Sequence, residues 1–177
     1  CELLQMSQTR DYKTGGSIHV VINNQVGFTT THAEDARSTP YCTDVAKFVG
    51  APVLHVNGDD PEAVLFVTQL AMDYRHEFKK DVVIDLVCYR RRGHNETDEP
   101  SSTQPLMYQA IKGLKTTRAL YAQRLIDEGI LTREEDAAIT NDYRAALDRG
   151  EHVADGLVSE PDKSLFVDWL PYLNHDW

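Results

Sequence analysis

The sequence Asp81-Val-Val-Ile-Asp-Leu-Val-Cys-Tyr89 predicts the fold class, because a short, nearly continuous run of apolar and β-branched residues is typical of a strand buried in a parallel sheet. It is followed at once by Arg90-Arg-Arg-Gly-His-Asn-Glu-Thr-Asp-Glu-Pro-Ser101, which holds three cations, one imidazole and three carboxylates. Open α/β sheets bind ligands beyond the carboxyl ends of their strands. We therefore predict a functional loop at 90–101 whose guanidinium groups suit phosphate or carboxylate, the alternative being a solvated loop of surface ion pairs.

Two more buried strands are predicted upstream, at Ile18–Ile22 and Pro52–Val56. After the second of them, Asp59-Asp-Pro-Glu62 has the residues of a helix start, with Asp as the cap and Pro at the first helical position. An apolar stripe at helical spacing continues as far as Phe78. Residues 53–89 therefore predict a β-α-β unit, and the fold class is α/β with helices packed on a parallel sheet.

These patterns divide the chain into three segments. Residues 1–113 are predicted as the α/β part, 114–150 as a helical extension, and 151–177 as an irregular aromatic tail or a linker to another domain. The polar stretch 29–40 has neither a helical nor a strand period and is predicted as a loop, long enough to be functional. Further helices are predicted at 43–49, 105–113, 116–128 and, from the capping box Thr132-Arg-Glu-Glu135, at 132–149.

Composition and charge narrow the classes of function. The chain has 177 residues, a net charge of −10 and a pI near 5.1, which argues against the clustered basic face of a nucleic-acid-binding domain. No apolar run approaches the roughly 20 residues of a membrane helix and no signal-like leader is visible, so we expect neither a membrane span nor secretion. Cys1, Cys42 and Cys88 have no close spacing, and reduced thiols in a cytoplasmic compartment are expected.

Polar residues also lie inside and after the predicted strands. Asn23 and Asn24 follow the strand at 18–22, and paired asparagines favour a turn because they tolerate left-handed backbone and bond their own backbone. Alternatively, an amide oxygen and a nearby backbone carbonyl suit a hard cation such as Mg²⁺, which prefers oxygen ligands and shares them with phosphate. The residues alone leave both interpretations open. His19 and His55, inside strands, are interpreted as packed and hydrogen-bonded histidines.

Four stretches together carry a resemblance to a known family. They are the sequences Asn23-Asn-Gln-Val-Gly-Phe-Thr-Thr30, Arg37-Ser-Thr-Pro-Tyr-Cys-Thr-Asp44, His55-Val-Asn-Gly-Asp-Asp-Pro-Glu62 and Tyr89 to Pro100. The chain resembles the thiamine diphosphate-dependent 2-oxoacid dehydrogenases, and within them the decarboxylating first components of 2-oxoglutarate dehydrogenase complexes. The final residues 171–177 are similar to the bacterial forms.

The resemblance implies thiamine diphosphate and Mg²⁺ as cofactors. Asn24 matches the residue whose side-chain oxygen binds Mg²⁺ in the family, Val26 matches the residue whose backbone carbonyl does the same, and Gln25 lies between them in the cofactor-binding motif. His94 matches a histidine in the loop that holds the cofactor diphosphate and the active-site entrance, and it is expected near the 2-oxo acid or the reaction intermediate as a catalytic and cofactor-binding residue. An imidazole there can donate to phosphate or an oxyanion, or relay a proton. Arg90 to Arg92 would position the loop or meet anions.

Parts of the family's site are not found in these residues. The thiamine-binding motif begins with Gly-Asp, whose aspartate is another Mg²⁺ ligand, and no such pair precedes Asn23, so we expect it upstream of Cys1. The resemblance also implies further histidines from earlier in the chain and a glutamate from a separate pyrimidine-binding domain. We therefore expect the chain to be an internal fragment whose residues 1–113 form the carboxyl half of a diphosphate-binding domain, and to be inactive alone.

For the parent enzyme, the resemblance implies oxidative decarboxylation of 2-oxoglutarate and transfer of the succinyl group to the lipoyl domain of the succinyltransferase component. It also implies a homodimer in the bacterial cytoplasm. Alternatives are the same chemistry on 2-oxoadipate and a non-catalytic interaction fragment that uses helices 116–149 and the aromatic tail. A metal hydrolase is disfavoured because no second histidine lies at ligand spacing; it would use His94, Glu96, Asp98 and Glu99.

Overall fold

The computed structural model describes residues 2–12, 14–27, 29–30, 32–151 and 153. The chain divides into two units, Cys1–Asp127 and a second that begins at Glu128. The strands are β1 (Ile18–Asn23), β2 (Val53–Asn57) and β3 (Val82–Val87). The helices are α1 (Glu2–Met6), α2 (Ala33–Ala36), α3 (Pro61–Phe78), α4 (Pro105–Gly113), α5 (Thr117–Asp127) and α6 (Arg133–Asp148), with 3₁₀ helices at Cys42–Val49 and Pro100–Ser102.

The three strands form a parallel sheet in the order β1-β3-β2. The apolar run at 81–89 contains the central strand, β3, whose residues 82–85 are buried. Helix α3 connects β2 to β3, so the predicted β-α-β unit and the α/β class are confirmed. Gly16 precedes β1 with φ +77°, and a Cβ there would lie 2.7 Å from the backbone nitrogen of Lys80. Glycine therefore lets the segment before β1 approach the segment before β3 closely.

Helix α3 begins and ends as its sequence predicts. The Asp60 side chain accepts a hydrogen bond from the Ala63 backbone N–H at 3.1 Å, and Pro61 occupies the first turn, where no N–H is needed. The helix ends at Phe78, and the next residue, Lys79, takes left-handed backbone with φ 53°. Its inner face packs on one side of the sheet, in a core of Val56, Ala71, Val82 and Ile84.

The 3₁₀ helix Cys42–Val49 covers the opposite face of the sheet, where Ala46, Ala51 and Val83 are buried together. The sequence predicts a helix at 43–49, and the structure starts the helix one residue earlier, at Cys42. The Asp44 carboxylate accepts a hydrogen bond from the Tyr41 backbone N–H at 3.3 Å, so it acts from inside the first turn. The predicted loop at 29–40 likewise contains the four-residue helix α2.

Helix α5 contacts the start of α3 through polar side chains. The Glu62 carboxylate accepts hydrogen bonds from Arg124 Nη2 at 2.8 Å and from the Tyr121 hydroxyl at 2.9 Å. In the second unit, the predicted capping box of α6 is present, since the Glu135 carboxylate accepts the Thr132 backbone N–H at 2.8 Å. None of the described helices has the length and apolar content that crossing a membrane needs. The predicted aromatic tail, beyond Glu151 and Val153, lies outside the described residues.

Candidate functional site

All three strands end at one edge of the sheet. Asn23 and Asn57 each pair with Val87, the last residue of the central strand. The hydrogen-bond ladder continues one step further, because the Cys88 backbone N–H donates to the Asn23 carbonyl at 2.9 Å and the Gly58 N–H donates to the Val87 carbonyl at 2.8 Å. The loops that follow β1 and β3, which carry the sequence-predicted site residues, therefore leave the sheet side by side.

Residues 24–26 form a tight turn after β1. The Asn24 side-chain oxygen accepts a hydrogen bond from the Val26 backbone N–H at 3.1 Å, and Gln25 adopts left-handed backbone with φ 63°. Gln25 Nε2 donates to the Cys88 carbonyl at 2.8 Å, which joins this turn to the loop after β3. The turn predicted from the asparagine pair is thus present. An amide oxygen has two lone pairs, so the Asn24 oxygen can still bind a cation.

A cavity of about 560 Å³ opens beside this turn, on the same side of the sheet as the 3₁₀ helix Cys42–Val49. Asn24, Gln25 and Val26 line one part of it, and Tyr41 and Cys42 line another. Clefts of this size at the carboxyl ends of parallel strands are typical binding sites for small molecules and cofactors. The structure therefore brings three of the four predicted site residues to one cavity.

Arg37 also lines this cavity, and the sequence-based prediction did not single it out. Its Nη2 donates to the Pro40 carbonyl at 3.2 Å, while its Nε is buried and has no hydrogen-bond partner among the described residues. A buried donor without a partner costs roughly 1–3 kcal/mol, a cost that an anionic ligand removes. Arg37 lies in a polar stretch without any period, so sequence reasoning could identify the loop as functional but could not assign this side chain.

His94, the fourth predicted residue, is not among the described residues that line the cavity. Its side chain is 57% exposed, and its Nδ1 lies 3.0 Å from Asp98 Oδ2, which also accepts the His94 backbone N–H at 3.0 Å. These hydrogen bonds, together with the positive charge of Arg90, hold the pKa of the Asp98 carboxyl below its usual range. Asp98 is therefore ionised at neutral pH and accepts hydrogen bonds from its neighbours.

The three consecutive arginines have different surroundings. Arg91 Nη2 donates to the Tyr89 hydroxyl at 2.9 Å and to the Lys115 carbonyl at 2.8 Å, so this side chain supports the segment after α4. Arg90 is half-buried, with Nη2 3.9 Å from Asp98 Oδ2 and a buried Nε that has no hydrogen-bond partner among the described residues. Arg92 is exposed. Arg90 is thus the member of the triplet that lies against the His94 loop.

A buried carboxylate in the central strand was also missed. Asp85 is fully buried, and its Oδ2 lies 2.7 Å from His55 Nδ1 on β2 and 3.4 Å from the Thr43 hydroxyl. The His55 ring in turn packs against the Tyr41 ring, with ring centroids 4.3 Å apart. This confirms His55 as a packed, hydrogen-bonded histidine. The signal in the sequence is one acidic residue inside an apolar strand, a position where burial requires partners.

The oxygen atoms at the turn are of the type that binds Mg²⁺, but they are fewer than the ligands that the ion needs. Mg²⁺ takes about six oxygen ligands, commonly one or two carboxylates together with phosphate and water, whereas this turn offers an amide oxygen from Asn24 and a carbonyl from Val26. No cluster of three or more His, Cys, Asp or Glu side chains with metal-binding geometry exists in the described part of the chain. Glu99 is engaged by the Ser101 backbone N–H at 3.1 Å, which further weakens the hydrolase alternative.

Comparison with known proteins identifies the family of this chain. The profile of the family described as "Dehydrogenase E1 component" matches residues 1–155. The 2-oxoglutarate dehydrogenase E1 component of Azotobacter vinelandii is 69% identical over 176 residues, which cover 99% of this chain and 19% of that protein. The protein of the same name from Coxiella burnetii is 56% identical over the same share of each chain.

A larger protein also contains a related segment. The multifunctional 2-oxoglutarate metabolism enzyme of Mycolicibacterium vanbaalenii is 53% identical over 148 residues, which cover 84% of this chain and 12% of that enzyme. The chain thus spans 19% of the length of the Azotobacter relative, about a fifth. Because the family profile covers most of the sequence, the chain belongs to the dehydrogenase E1 component family.

Proposed function

We propose that this chain is part of a 2-oxoglutarate dehydrogenase E1 component, which decarboxylates 2-oxoglutarate with thiamine diphosphate and Mg²⁺ and transfers the succinyl group to a lipoyl group. The observation that carries the proposal is the cavity at the carboxyl edge of the sheet, lined by Asn24, Gln25 and Val26 in a chain 69% identical to a protein of that name. The resemblance found in the sequence assigns these same residues to the cofactor.

In this proposal the turn after β1 holds the metal end of the cofactor. The Asn24 amide oxygen and the Val26 carbonyl would hold Mg²⁺, an ion that prefers oxygen ligands and shares them with phosphate. The carboxylate that completes the metal shell comes from elsewhere in the full polypeptide. Gln25 acts indirectly, because its hydrogen bond to the Cys88 carbonyl holds the left-handed turn between Asn24 and Val26. Arg37 offers the cavity a positive charge for an anion.

His94 is proposed to act on the 2-oxo acid or on the diphosphate, from the loop that leaves the same sheet edge one strand away. When bound, thiamine diphosphate supplies the nucleophilic carbon and the electron sink that decarboxylation needs. The protein's part is to bind and orient the cofactor and to move protons, and general acid–base assistance of this kind is worth about 10²–10⁴-fold in rate.

The remaining features of the complete enzyme are part of the same proposal. We expect the complete enzyme to be a homodimer in the cytoplasm. It would pass the succinyl group to the lipoyl domain of the succinyltransferase component. On the outer face of α3, Leu65 and Phe66 are each 68% exposed. We expect this apolar surface to be covered by another part of the complete enzyme. The predicted boundaries at 113 and 150 are retained as proposed limits of the diphosphate-binding domain and its helical extension.

Calorimetry on the complete polypeptide that carries this sequence tests the proposal. Thiamine diphosphate is titrated in the presence of Mg²⁺ into the wild-type protein and into Asn24→Ala, and decarboxylation of 2-oxoglutarate, 2-oxoadipate and pyruvate is measured in parallel. We expect 2-oxoglutarate to be the preferred substrate and Asn24→Ala to weaken Mg²⁺-dependent binding by at least about tenfold. Asn24→Asp keeps an oxygen for both the turn and the metal, so it should retain binding.

Asn57 provides a matched control for Asn24. It also ends a strand at this edge, and its side-chain oxygen also accepts the backbone N–H two residues later, from Asp59 at 3.0 Å, but it does not line the cavity. Asn57→Ala should therefore leave cofactor binding unchanged. Equal losses in Asn24→Ala and Asn57→Ala would contradict a metal role for Asn24, and absence of 2-oxoglutarate decarboxylation by the wild-type protein would contradict the proposed activity.

A further inference from the structure

The side-chain amide of Asn95 has a defined orientation. Its oxygen accepts three hydrogen bonds, from the Thr97 backbone N–H at 3.0 Å, the Thr97 hydroxyl at 3.0 Å and the Asp98 backbone N–H at 2.9 Å. Exchanging the oxygen and nitrogen of this amide would set its NH₂ group against two backbone N–H donors. The hydrogen-bond network therefore assigns the oxygen to the turn and leaves the NH₂ group on the other side.

That NH₂ group determines the proton position on His94. Asn95 Nδ2 lies 3.2 Å from His94 Nε2, and because an amide nitrogen can only donate, Nε2 must accept. A neutral imidazole has one donor and one acceptor nitrogen, so the proton is on Nδ1. Nδ1 lies 3.0 Å from Asp98 Oδ2, an ionised carboxylate that can only accept. Two independent neighbours thus require the same tautomer.

Gly93 makes room for this arrangement. A Cβ atom at position 93 would lie 2.8 Å from Asp98 Oδ2, the oxygen that holds His94, and would also meet the Asp98 backbone. Any side chain at this position would displace the carboxylate. The loop from Gly93 to Asp98 therefore closes tightly enough for one carboxylate oxygen to accept both the backbone N–H and the ring nitrogen of His94.

We propose that Asp98 and Asn95 are positioning residues that hold His94 in the tautomer protonated at Nδ1, so that Nε2 is presented to the substrate as a proton acceptor. This inference rests on the proposed function of His94 and deepens it. A proton from the reacting group moves onto Nε2 in place of the Asn95 contact, while the Nδ1 proton stays bound to Asp98, whose charge stabilises the resulting imidazolium. A neutral His94 that donated from Nε2 would instead need a proton on Asp98.

Asn95→Asp is the sharpest variant. A carboxylate at position 95 can keep the turn, since one oxygen still accepts the N–H groups of Thr97 and Asp98, but the group that faces Nε2 changes from a donor to an acceptor. We expect ¹⁵N NMR of histidine-labelled complete enzyme, with the His94 signal assigned by His94→Gln, to show a proton on Nδ1 alone in the wild type and on both ring nitrogens in the variant, because Asp98 still accepts from Nδ1 while the new carboxylate accepts from Nε2. The variant's kcat for 2-oxoglutarate should fall at least about tenfold, with little change in KM.

Asn57→Asp is the control, because it introduces the same change into a turn of the same kind on the neighbouring strand end. It should alter neither the His94 signal nor kcat. A second variant, Asp98→Asn, keeps an acceptor oxygen for Nδ1 and should preserve the tautomer, whereas Asp98→Ala removes one of the two groups that fix it and should raise the fraction of His94 protonated at Nε2. A wild-type His94 protonated at Nε2 would overturn the inference while leaving the proposed activity intact. A wild-type enzyme without 2-oxoglutarate activity, but with the expected tautomer, would overturn only the proposed function.

Discussion

His55 Nδ1 lies 2.7 Å from Asp85 Oδ2, and this contact joins the edge strand β2 to the central strand β3. The His55 ring also packs against Tyr41, which lines the candidate cavity. The Thr43 hydroxyl reaches the same carboxylate oxygen at 3.4 Å. Thr43 follows Tyr41 and Cys42, which both line the cavity. One buried carboxylate therefore connects the sheet to the segment that encloses the site.

Removal of this carboxylate should destabilise the domain. Asp85→Ala leaves the His55 ring nitrogen and the Thr43 hydroxyl without their partner, and a group left without its hydrogen-bond partner costs about 1–3 kcal/mol when buried. Because the His55 side chain is 39% exposed, water can replace part of the contact, and we expect a loss of about 2 kcal/mol in the free energy of unfolding. Denaturant unfolding of the complete protein, followed through this domain, measures it.

Asp73 supplies the control for that measurement, because it is an exposed carboxylate on α3. Asp73→Ala should change the free energy of unfolding by less than about 0.5 kcal/mol. Similar losses in the two variants would show that the bonds of Asp85 contribute little.

Arg37→Gln should weaken the binding of an anion in the cavity. The variant removes the guanidinium whose Nε is buried without a described partner, and hydrogen bonds to charged groups contribute about 1.5–3 kcal/mol. This corresponds to roughly a 10–100-fold loss of affinity. A rise in the dissociation constant of thiamine diphosphate would assign the diphosphate to Arg37, and a rise in the KM for 2-oxoglutarate would assign a substrate carboxylate. Arg92→Gln, an exposed arginine, is the control, and equal effects in both variants would contradict a specific role.

The sequence predicted the elements whose signals are local. The apolar run at 82–87, the cap at Asp60 and the capping box at Thr132 each appear where the residues indicate. The carboxyl ends of parallel strands lie at the same edge of a sheet. The position of Asn24 beside the loop after β3 could therefore also be predicted.

Contacts that depend on register or on loop closure could not be predicted. His55 meets Asp85 only because β2 and β3 pair in one particular register, which is set by packing rather than by either strand's own sequence. The role of Asp98 was missed for a similar reason, since the carboxylate reaches His94 through a turn that Gly93 and Asn95 build together. An irregular turn has no periodic sequence pattern from which such a contact could be predicted.

The hydrogen bonds to Asp98 should make the stability of its loop depend on pH. The His94 side chain and backbone N–H hold the pKa of this carboxyl below its ordinary value, which is about 3.9 in an unfolded chain. A carboxyl whose pKa is lower in the folded state adds stability above the unfolded pKa, and this stability is lost as the pH falls through the folded pKa. The difference in unfolding midpoint between wild type and Asp98→Asn should be constant above about pH 5 and should shrink below about pH 4.

Glu96→Gln is the control for that pH series. Glu96 is an exposed carboxylate in the same loop, and its side chain makes no hydrogen bond or ion pair within the described part of the chain. The unfolding midpoint of Glu96→Gln should equal that of the wild type at every pH. A wild-type advantage over Asp98→Asn that persists unchanged to about pH 2 would contradict the assigned bonds.

The two described cysteines should differ in reactivity and in their response to the cofactor. Cys42 is exposed and lines the cavity, whereas Cys88 is half-buried, and burial, followed by the charges of Asp59 and Asp85, raises the pKa of its thiol. Since the thiolate is the reactive form, iodoacetamide at pH 8 should label Cys42 faster than Cys88. Thiamine diphosphate with Mg²⁺ should then slow the labelling of Cys42 and leave Cys88 unchanged, as measured by mass spectrometry of the two peptides. Labelling of Cys42 that is unaffected by saturating cofactor would place the cofactor outside this cavity.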